Sequence, residues 1–399
     1  MLAACACARP STTPAPATAT IRFAATDTVV VDTVAPQMLH YLVKRPTGPF
    51  IVHVVTVPVR SRFELIAVRA NDSLFGRERV TDMVRRRAAR GERIRAALNG
   101  DFFDLRGRTG AVENNQVIAG EIWKANPVTD SPFDTFRNSH TQFAVGVDGR
   151  PYIDRFSYAG VLEGACGSFA LDGVNTVPRV PDALVLYTAA FGAAPRRDSV
   201  RSARELEVRA DPTTGPGIGE LDIFIDGRTA GTAAAATIAR DRAVLGAFGS
   251  TSARLDSIAR CTGALRVRHG FRPDRGRLTM TVGGWPRVVQ DGRNVGGIAD
   301  SLEGTFPRFS AERHPRSAIG FDRDTSVVYL VAVEGRQETS DGMSLAELGD
   351  FLISIGVFQA MNFDGGGSTT LVIDGRLVSR PSDPSGERPV GNAILVRER

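Results

Sequence analysis

The segment that decides the fold of this chain reads Gly356-Val357-Phe358-Gln359-Ala360-Met361-Asn362-Phe363-Asp364-Gly365-Gly366-Gly367-Ser368-Thr369-Thr370-Leu371-Val372-Ile373. Its apolar ends have the composition of strands, and the glycines between them leave backbone N–H groups uncovered by any Cβ atom. Such a loop suits an anionic or oxygen-rich ligand. A nucleotide phosphate loop would require a lysine after the glycines, and none is present here. The segment predicts strand, glycine loop, strand. A tight turn without a ligand is the alternative.

Composition sets broad limits on the protein. The 399 residues are 42% apolar and 23% charged, which is ordinary for a globular protein with a sizeable core. The formal net charge is +5, but of 49 basic residues only Lys44 and Lys124 are lysines. No basic stripe with interleaved aromatic residues is present, so nucleic acid is not an expected partner.

Turn and cap signals predict the fold class. Asp-Gly pairs typical of type I′ hairpins occur at 147–150, 225–228, 290–293 and 373–376, which favours antiparallel sheet. Two helices are predicted, one capped by Thr81 and ending at Gly91, the other opened by the capping box of Ser344 and Glu347. We therefore expect an α+β fold of mixed or largely antiparallel sheets with packed helices. It would form one large domain over residues 26–399, with an inserted β-rich lobe over 159–282.

The first 25 residues differ from the rest. Leu2-Ala3-Ala4-Cys5 resembles a bacterial lipobox, and a Ser/Thr/Pro/Ala tract of the kind that tethers domains follows it. The charged and apolar regions of a signal peptide do not precede it, so the start codon is placed late or the match is accidental. We expect residues 1–25 to be an export remnant and linker. The protein would be exported to the periplasm or outer surface, with a lipid anchor at Cys5 as its contact with the membrane.

The cysteines and histidines give no metal pattern. No CxxC pair or HxxxH spacing occurs, so a zinc site is not expected. Cys166 and Cys261 could form one disulfide in an exported protein, and two unpaired buried thiols are the alternative. No cofactor is predicted. A divalent cation is compatible with the many carboxylates, but no ligand spacing indicates one.

Other polar groups adjoin predicted strands. Asn99 and Asp101 follow an apolar run, Gly283 and Gly284 precede one, and Arg316 begins one. Adjacent glycines permit a close backbone approach to a ligand, and an arginine can bind phosphate with two hydrogen bonds. A last polar loop contains Asp383, Glu387 and Arg388. The structural alternatives are turns, a bulge and a surface ion pair.

Taken together, these segments resemble the phosphodiester glycosidase family. The resemblance rests on order and spacing over 99–103, 283–292, 313–320, 342–348, 362–370 and 380–393, and it covers roughly residues 50–399. Asp101 is a departure, because many members have glycine or another small residue there. Bacterial members are secreted or lipid-anchored.

The resemblance implies hydrolysis of a sugar-1-phosphodiester at the anomeric carbon, with a sugar-phosphodiester or anionic glycan as partner. An oxocarbenium-like transition state requires a carboxylate, for which Asp364 is the first candidate and Asp383 and Glu387 follow. Arg316 would assist by holding the phosphate. The remaining candidate binding residues are Asn99, Asp101, Gly283, Gly284, Asn362, Gly365, Gly366, Gly367, Ser368, Thr369 and Arg388. A non-catalytic envelope module that binds anionic polysaccharide is the competing hypothesis, while the absence of a Gly-x-Ser-x-Gly elbow disfavours common serine hydrolases.

Overall fold

The strands of the protein were assigned in a computed structural model that describes residues 21–46, 48–106, 109–129, 131–178, 181–192, 203–211, 220–225 and 237–399. In the first half of the chain they are β1 Thr28–Ala35, β2 Met38–Arg45, β3 Phe50–Pro58, β4 Phe63–Arg69, β5 Arg93–Asn99, β6 Gln116–Ile118, β7 Glu121–Lys124, β8 Gln142–Gly146, β9 Pro151–Asp154, β10 Ser157–Tyr158, β11 Gly160–Gly164, β12 Gly167–Leu171, β13 Gly173–Val174 and β14 Ala183–Tyr187.

The strands of the second half and the α-helices complete the described elements. The strands are β15 Ala203–Ala210, β16 Glu220–Ile225, β17 Arg242–Phe248, β18 Ala264–Arg268, β19 Phe271–Arg272, β20 Leu278–Gly283, β21 Arg287–Gln290, β22 Arg293–Asn294, β23 Arg316–Phe321, β24 Val327–Val333, β25 Gln359–Asn362, β26 Leu371–Ile373, β27 Arg376–Leu377 and β28 Asn392–Glu398. The helices are α1 Val80–Ala88, α2 Ser252–Ala259, α3 Ala299–Glu303, α4 Pro307–Ser310 and α5 Leu345–Ser354.

Two large and two smaller sheets make up most of the fold. Their strand orders are β1-β2-β3-β24-β23-β25-β21-β22, β12-β11-β18-β16-β15-β17-β14-β13, β7-β6-β20-β8-β9 and β27-β26-β5-β28-β4, and β10 pairs separately with β19. Among the described strands, β13 and β14 run parallel and the other neighbours are antiparallel. The predicted α+β class with largely antiparallel sheet is confirmed.

The first large sheet is a central layer. One face packs on α5 through residues such as Val331 and Leu348, and the opposite face packs on the β27-β26-β5-β28-β4 sheet through residues such as Leu330 and Leu98. The outer face of that five-stranded sheet is covered by α1, where Val84 is buried. Burying apolar side chains between layers is the main favourable term in folding, and here it fixes the ends of β5, β25 and β28 close together.

The second large sheet lies between Gly160 and Arg268 and packs against the β7-β6-β20-β8-β9 sheet. Cys166 and Cys261 form a disulfide at its edge, with Cα atoms 5.3 Å apart, so the paired alternative is confirmed. The strands of this sheet fall within the range expected to form a β-rich lobe. No helix of the described residues combines the length and apolar character needed to cross a membrane.

The turn and cap predictions have mixed outcomes. Asp291 and Asp374 both have positive φ next to a positive-φ glycine, as type I′ hairpins require, but Asp148 does not, and a four-residue loop joins β8 to β9. The turn expected at Asp226 and the lipobox at Cys5 lie outside the described residues. Ser344 caps α5 as predicted. Thr81 does not cap α1, because that helix begins one residue earlier with Arg79 as its N-cap.

Candidate functional site

The glycine loop crosses from one sheet to another. Asn362 ends β25 in the central sheet, and Leu371 begins β26 in the neighbouring sheet. Between them Asp364 donates its backbone N–H to the carbonyl of Gly100, 3.0 Å away, which lies just after β5. The loop and the end of β5 therefore meet.

The glycine amides serve the protein itself. The N–H of Gly366 donates to the carbonyl of Pro315, and the N–H of Gly365 hydrogen-bonds the Asp364 carboxylate. A Cβ on Gly365 would lie 2.6 Å from the same Pro315 carbonyl. These two glycines are thus required for close packing and for holding Asp364, and the structure gives their amides protein acceptors rather than an open anion cradle.

Asp364 and Arg388 line a cavity of about 620 Å³. Four further charged residues, Asp104, Arg106, Glu113 and Lys124, line the same cavity, so six charged residues surround it. Lys124 Nζ donates to the carbonyl oxygens of Val112 and Glu113, which fixes the ammonium beside the Glu113 backbone. Arg388 is held in turn by Asp383, with which it forms two hydrogen bonds. The site therefore contains two kinds of charged group. Its carboxyl groups can take up and release protons, and its cations can bind a phosphate.

Two carboxyls of the cavity, Asp364 and Glu113, have raised pKa values. Burial raises the pKa of Asp364 to about 6, opposed by its hydrogen bond from Ser368 and by the Arg388 charge. Burial also raises the pKa of Glu113 to about 8, and the Asp101 charge adds to that effect. Near neutral pH, Asp364 is therefore mostly ionised and Glu113 mostly protonated. Two carboxyls whose environments separate their pKa values suit a base and an acid in one site.

Asp101 lies behind the cavity and is almost fully buried. Its carboxylate accepts hydrogen bonds from the backbone N–H and the side-chain Nδ2 of Asn114, at 2.9 and 2.7 Å. Burial nevertheless raises the pKa of Asp101 to about 6. A Cβ on Gly283 would lie 2.2 Å from the Asn114 Cβ, so this glycine makes room for Asn114 rather than for a ligand. The negative charge of Asp101 raises the pKa values of both Asp364 and Glu113.

Arg316 and Glu387 lie elsewhere, contrary to the expectation that they reach the substrate. Arg316 is 1% exposed, and its guanidinium donates to the carbonyls of Met343, Phe309 and Glu312. The Glu387 carboxylate accepts from the N–H and the hydroxyl of Thr81, at 2.9 and 2.6 Å. These bonds give both side chains structural partners, and neither residue lines the cavity.

Two of the candidate binding residues, Asn99 and Asn362, are buried and hydrogen-bond neighbouring segments of the protein. Asn99 donates to the Asp364 carbonyl and accepts from the Ser317 hydroxyl and the Thr370 N–H. Asn362 donates to the Trp285 and Phe363 carbonyls. A Cβ on Gly284 would lie 2.4 Å from the Asn362 carbonyl, so Gly284 permits this contact. Thr369 is buried beside them.

Sequence reasoning missed Glu113, Lys124 and Asn114. One signal for Glu113 was the polar run Glu113-Asn114-Asn115 after the apolar Val112, a pattern like that of Asn99 to Asp101. A signal for Lys124 was its rarity, because arginine supplies almost all other basic side chains in this chain. Across the described ranges no group of three or more His, Cys, Asp or Glu side chains is arranged to hold a metal ion.

The sequence of the chain is similar to one family model and to individual known proteins. Residues 222–397 match the sequence model of the phosphodiester glycosidase family, a range that contains Asp364 and Arg388 but not Glu113 or Lys124. The N-acetylglucosamine-1-phosphodiester alpha-N-acetylglucosaminidase of Bos taurus is 44% identical over 80 residues, which are 20% of this chain and 15% of that protein. The Homo sapiens protein of the same name is 42% identical over 101 residues, 24% of this chain and 19% of that protein.

The chain therefore matches less than a fifth of the length of these two relatives. The crystal structure of a hypothetical protein from Synechocystis has a similar fold, with a TM-score of 0.69 at 21% identity, and the match covers 93% of this chain and 64% of that one.

Proposed function

We propose that the chain is a member of the phosphodiester glycosidase family, whose model residues 222–397 match, and that it hydrolyses a sugar-1-phosphodiester at the anomeric carbon, releasing the sugar and a phosphomonoester. The observation that carries this proposal is the pair Asp364 and Glu113, which line one cavity together with Lys124 and Arg388. Glycoside hydrolysis typically uses two carboxyl groups in opposite protonation states, and a phosphodiester adds a negative charge that needs cations.

The proposed roles follow from the protonation states. Ionised Asp364 acts at the anomeric carbon, as a base toward water or as a nucleophile. Protonated Glu113 donates a proton to the departing phosphate oxygen, while Arg388 and Lys124 offset the phosphate charge. The bond between the anomeric carbon and oxygen breaks, and its electron pair leaves with the phosphomonoester. Water supplies the new sugar hydroxyl.

One further side chain is available for the sugar. Asn126 lines the cavity, is 8% exposed, and its Nδ2 has no hydrogen-bond partner among the described residues. A buried amide donor without a partner costs free energy unless a ligand or water accepts from it. We assign this donor to a sugar hydroxyl. N-acetylglucosamine is the first sugar to test, because it appears in the names of the bovine and human relatives.

We also propose that the protein acts outside the cytoplasm, on envelope or extracellular glycans. The Cys166–Cys261 disulfide supports this, because structural disulfides persist in oxidising compartments. The proposed lipid anchor at Cys5 would hold the enzyme at a membrane surface. If Cys5 carries the anchor, mass spectrometry of the protein purified from membranes of its native host should detect a diacylglyceryl group on Cys5.

The experiment is turnover of N-acetylglucosamine-1-phosphate esters in water enriched in ¹⁸O. Cleavage at the anomeric carbon places the label in the free sugar and none in the phosphomonoester, whereas cleavage at phosphorus reverses this. We expect Asp364→Asn and Glu113→Gln each to lower kcat/KM by about 10²- to 10⁴-fold. Asp82→Asn is the matched control, because Asp82 pairs with Arg85 on the surface of α1. Binding of anionic polysaccharide without turnover of any ester would favour the non-catalytic module.

A further inference from the structure

We infer that the alcohol esterified to the phosphate, the aglycone of the substrate, is apolar, an inference that rests on the proposed function. Its basis is the composition of the cavity lining, in which aromatic and aliphatic residues outnumber the six charged residues. Four of the charged side chains interact in pairs, since Arg388 acts on Asp364 and Lys124 on Glu113 through their charges. The two other charged residues of the lining, Asp104 and Arg106, flank Leu105 in the chain. The phosphate and sugar belong beside the two interacting pairs.

The apolar part of the lining has its own support in the fold. Leu74 and Phe191 belong to one buried cluster, and Phe75 and Val177 pack against it. The rings of Phe75 and Phe191 meet edge to face with centroids 5.4 Å apart. This wall therefore joins the segment after β4 to the segment after β14, and it gives the cavity a rigid aromatic and aliphatic surface.

Two large apolar side chains of the cavity remain exposed. Leu105 is 47% exposed and Phe133 is 43% exposed, and both line the cavity. The Arg106 guanidinium lies 5.1 Å from the centroid of the Phe133 ring, which helps to hold that ring in place. Exposed apolar groups beside a wall that is already apolar form a continuous surface of the kind that binds apolar ligands.

The lining favours an apolar chain over a second sugar. A carbohydrate aglycone needs polar partners, but two of the polar groups beside this wall, Asn175 and Asp104, are already bonded within the protein. Asn175 Nδ2 donates to the Trp123 carbonyl and the Thr188 hydroxyl. The Asp104 carboxylate accepts from the N–H and the hydroxyl of Thr109. Desolvating sugar hydroxyls against these groups would be unfavourable, whereas alkyl or prenyl groups gain from burial there.

The reaction with such a substrate balances without another reactant. Water supplies an oxygen to the anomeric carbon, the carbon–oxygen bond to the phosphate breaks, and its electron pair leaves with an alkyl phosphate. The phosphorus keeps its bond to the apolar alcohol. The substrate class is therefore a glycosyl phosphate carried on an apolar alcohol.

The test compares methyl, octyl and mannosyl esters of N-acetylglucosamine 1-phosphate, with the whole protein and with Phe133→Ala. We expect kcat/KM for the octyl ester to exceed that for the methyl ester by at least about tenfold, and Phe133→Ala to reduce this ratio by about fivefold or more. Val31→Ala is the control, because Val31 is an exposed apolar residue on the first strand of the central sheet, away from the cavity. Calorimetry with octyl phosphate alone measures binding independently of turnover.

Each outcome has a separate meaning. Equal turnover of methyl and octyl esters, or preference for the mannosyl ester, would overturn the apolar aglycone and leave the proposed hydrolysis intact. Turnover of no ester together with octyl phosphate binding that Phe133→Ala weakens would overturn the hydrolysis and support the apolar site. Octyl phosphate binding that is equal in both proteins, without an octyl preference in turnover, would overturn the site at Phe133.

Discussion

Arg388 and Asp383 form an ion pair with two hydrogen bonds, from Nε to Oδ2 at 2.8 Å and from Nη2 to Oδ1 at 2.9 Å, and the pair lies against the bare Cα of Gly367. A Cβ on Gly367 would lie 2.1 Å from the Arg388 Nη2 and 2.2 Å from the Asp383 Oδ1. Both distances are far below van der Waals contact. Gly367 therefore sets the position of the guanidinium that lines the cavity beside Asp364.

The first prediction concerns Gly367→Ala. The added methyl group must displace the ion pair, so we expect the kcat/KM of the proposed reaction to fall by at least about tenfold because phosphate charge is no longer held in place. Steady-state kinetics measures this effect. Gly297→Ala is the control, because a Cβ there meets its nearest neighbour at 3.7 Å. Equal activity of Gly367→Ala and the wild type would mean that the position of Arg388 does not matter for catalysis.

The second prediction is a bell-shaped pH profile of kcat/KM. Activity should fall as pH drops through about 6, because Asp364 becomes protonated, and fall again as pH rises through about 8, because Glu113 loses its proton. The Asp101 charge couples both groups, so the measured pKa values belong to the set of carboxyls. In the Glu113→Gln variant, the residual activity should no longer fall as the pH rises through about 8. A limb unchanged by this substitution would exclude Glu113 as its source.

The third prediction separates catalysis from stability. The folded-state pKa of Asp364 is raised above its ordinary value of 3.8, so the folded protein binds more protons than the unfolded chain between about pH 4 and 6. This contribution makes the protein more stable as pH falls through about 6, and the ionised carboxylate destabilises the fold at pH 7. We expect Asp364→Asn to raise Tm at pH 7 while abolishing most activity, as measured by calorimetry and kinetics.

Asp383→Asn is the matched comparison for that prediction. It removes one charge of the Arg388 pair, so Tm should fall at pH 7. A lower Tm for Asp364→Asn would contradict the destabilising role of its carboxylate and would indicate that the Ser368 and Gly365 hydrogen bonds outweigh burial.

The features that could be predicted from the sequence are those that depend on a few neighbouring residues. The sequence predicted Asp364 and Arg388, which both line the cavity, because charged residues beside glycines and a final strand are visible in short windows. It predicted the Ser344 cap because a capping box spans four residues. Glu113 was missed because its proximity to Asp364 results from the pairing of β5 with β26 and from the return of the chain at Phe103 and Val112. No local pattern reports such a long-range contact.

The position of Glu387 is the opposite case. A carboxylate next to Arg388 in a polar loop resembles a site residue in sequence, but its oxygens are turned toward Thr81 at the start of α1. The N–H groups of a first helical turn lack partners within the helix, so an acceptor from another segment satisfies one of them and also benefits from the helix dipole. Which of the nearby loops supplies that acceptor depends on tertiary packing, which the sequence alone did not reveal.

The fourth prediction tests this structural role. Glu387→Ala should lower the free energy of unfolding by about 1 to 3 kcal/mol, because two hydrogen bonds to a charged acceptor are lost. Thr81→Val removes the hydroxyl donor, so the double variant should lose less than the sum of the single losses, as denaturant unfolding measures. We expect kcat/KM of Glu387→Ala at low temperature to stay within about tenfold of wild type, below the loss typical of removing a general acid or base. A catalytic Glu387 would show the reverse, a loss of activity of about 10²-fold or more with additive, small effects on stability.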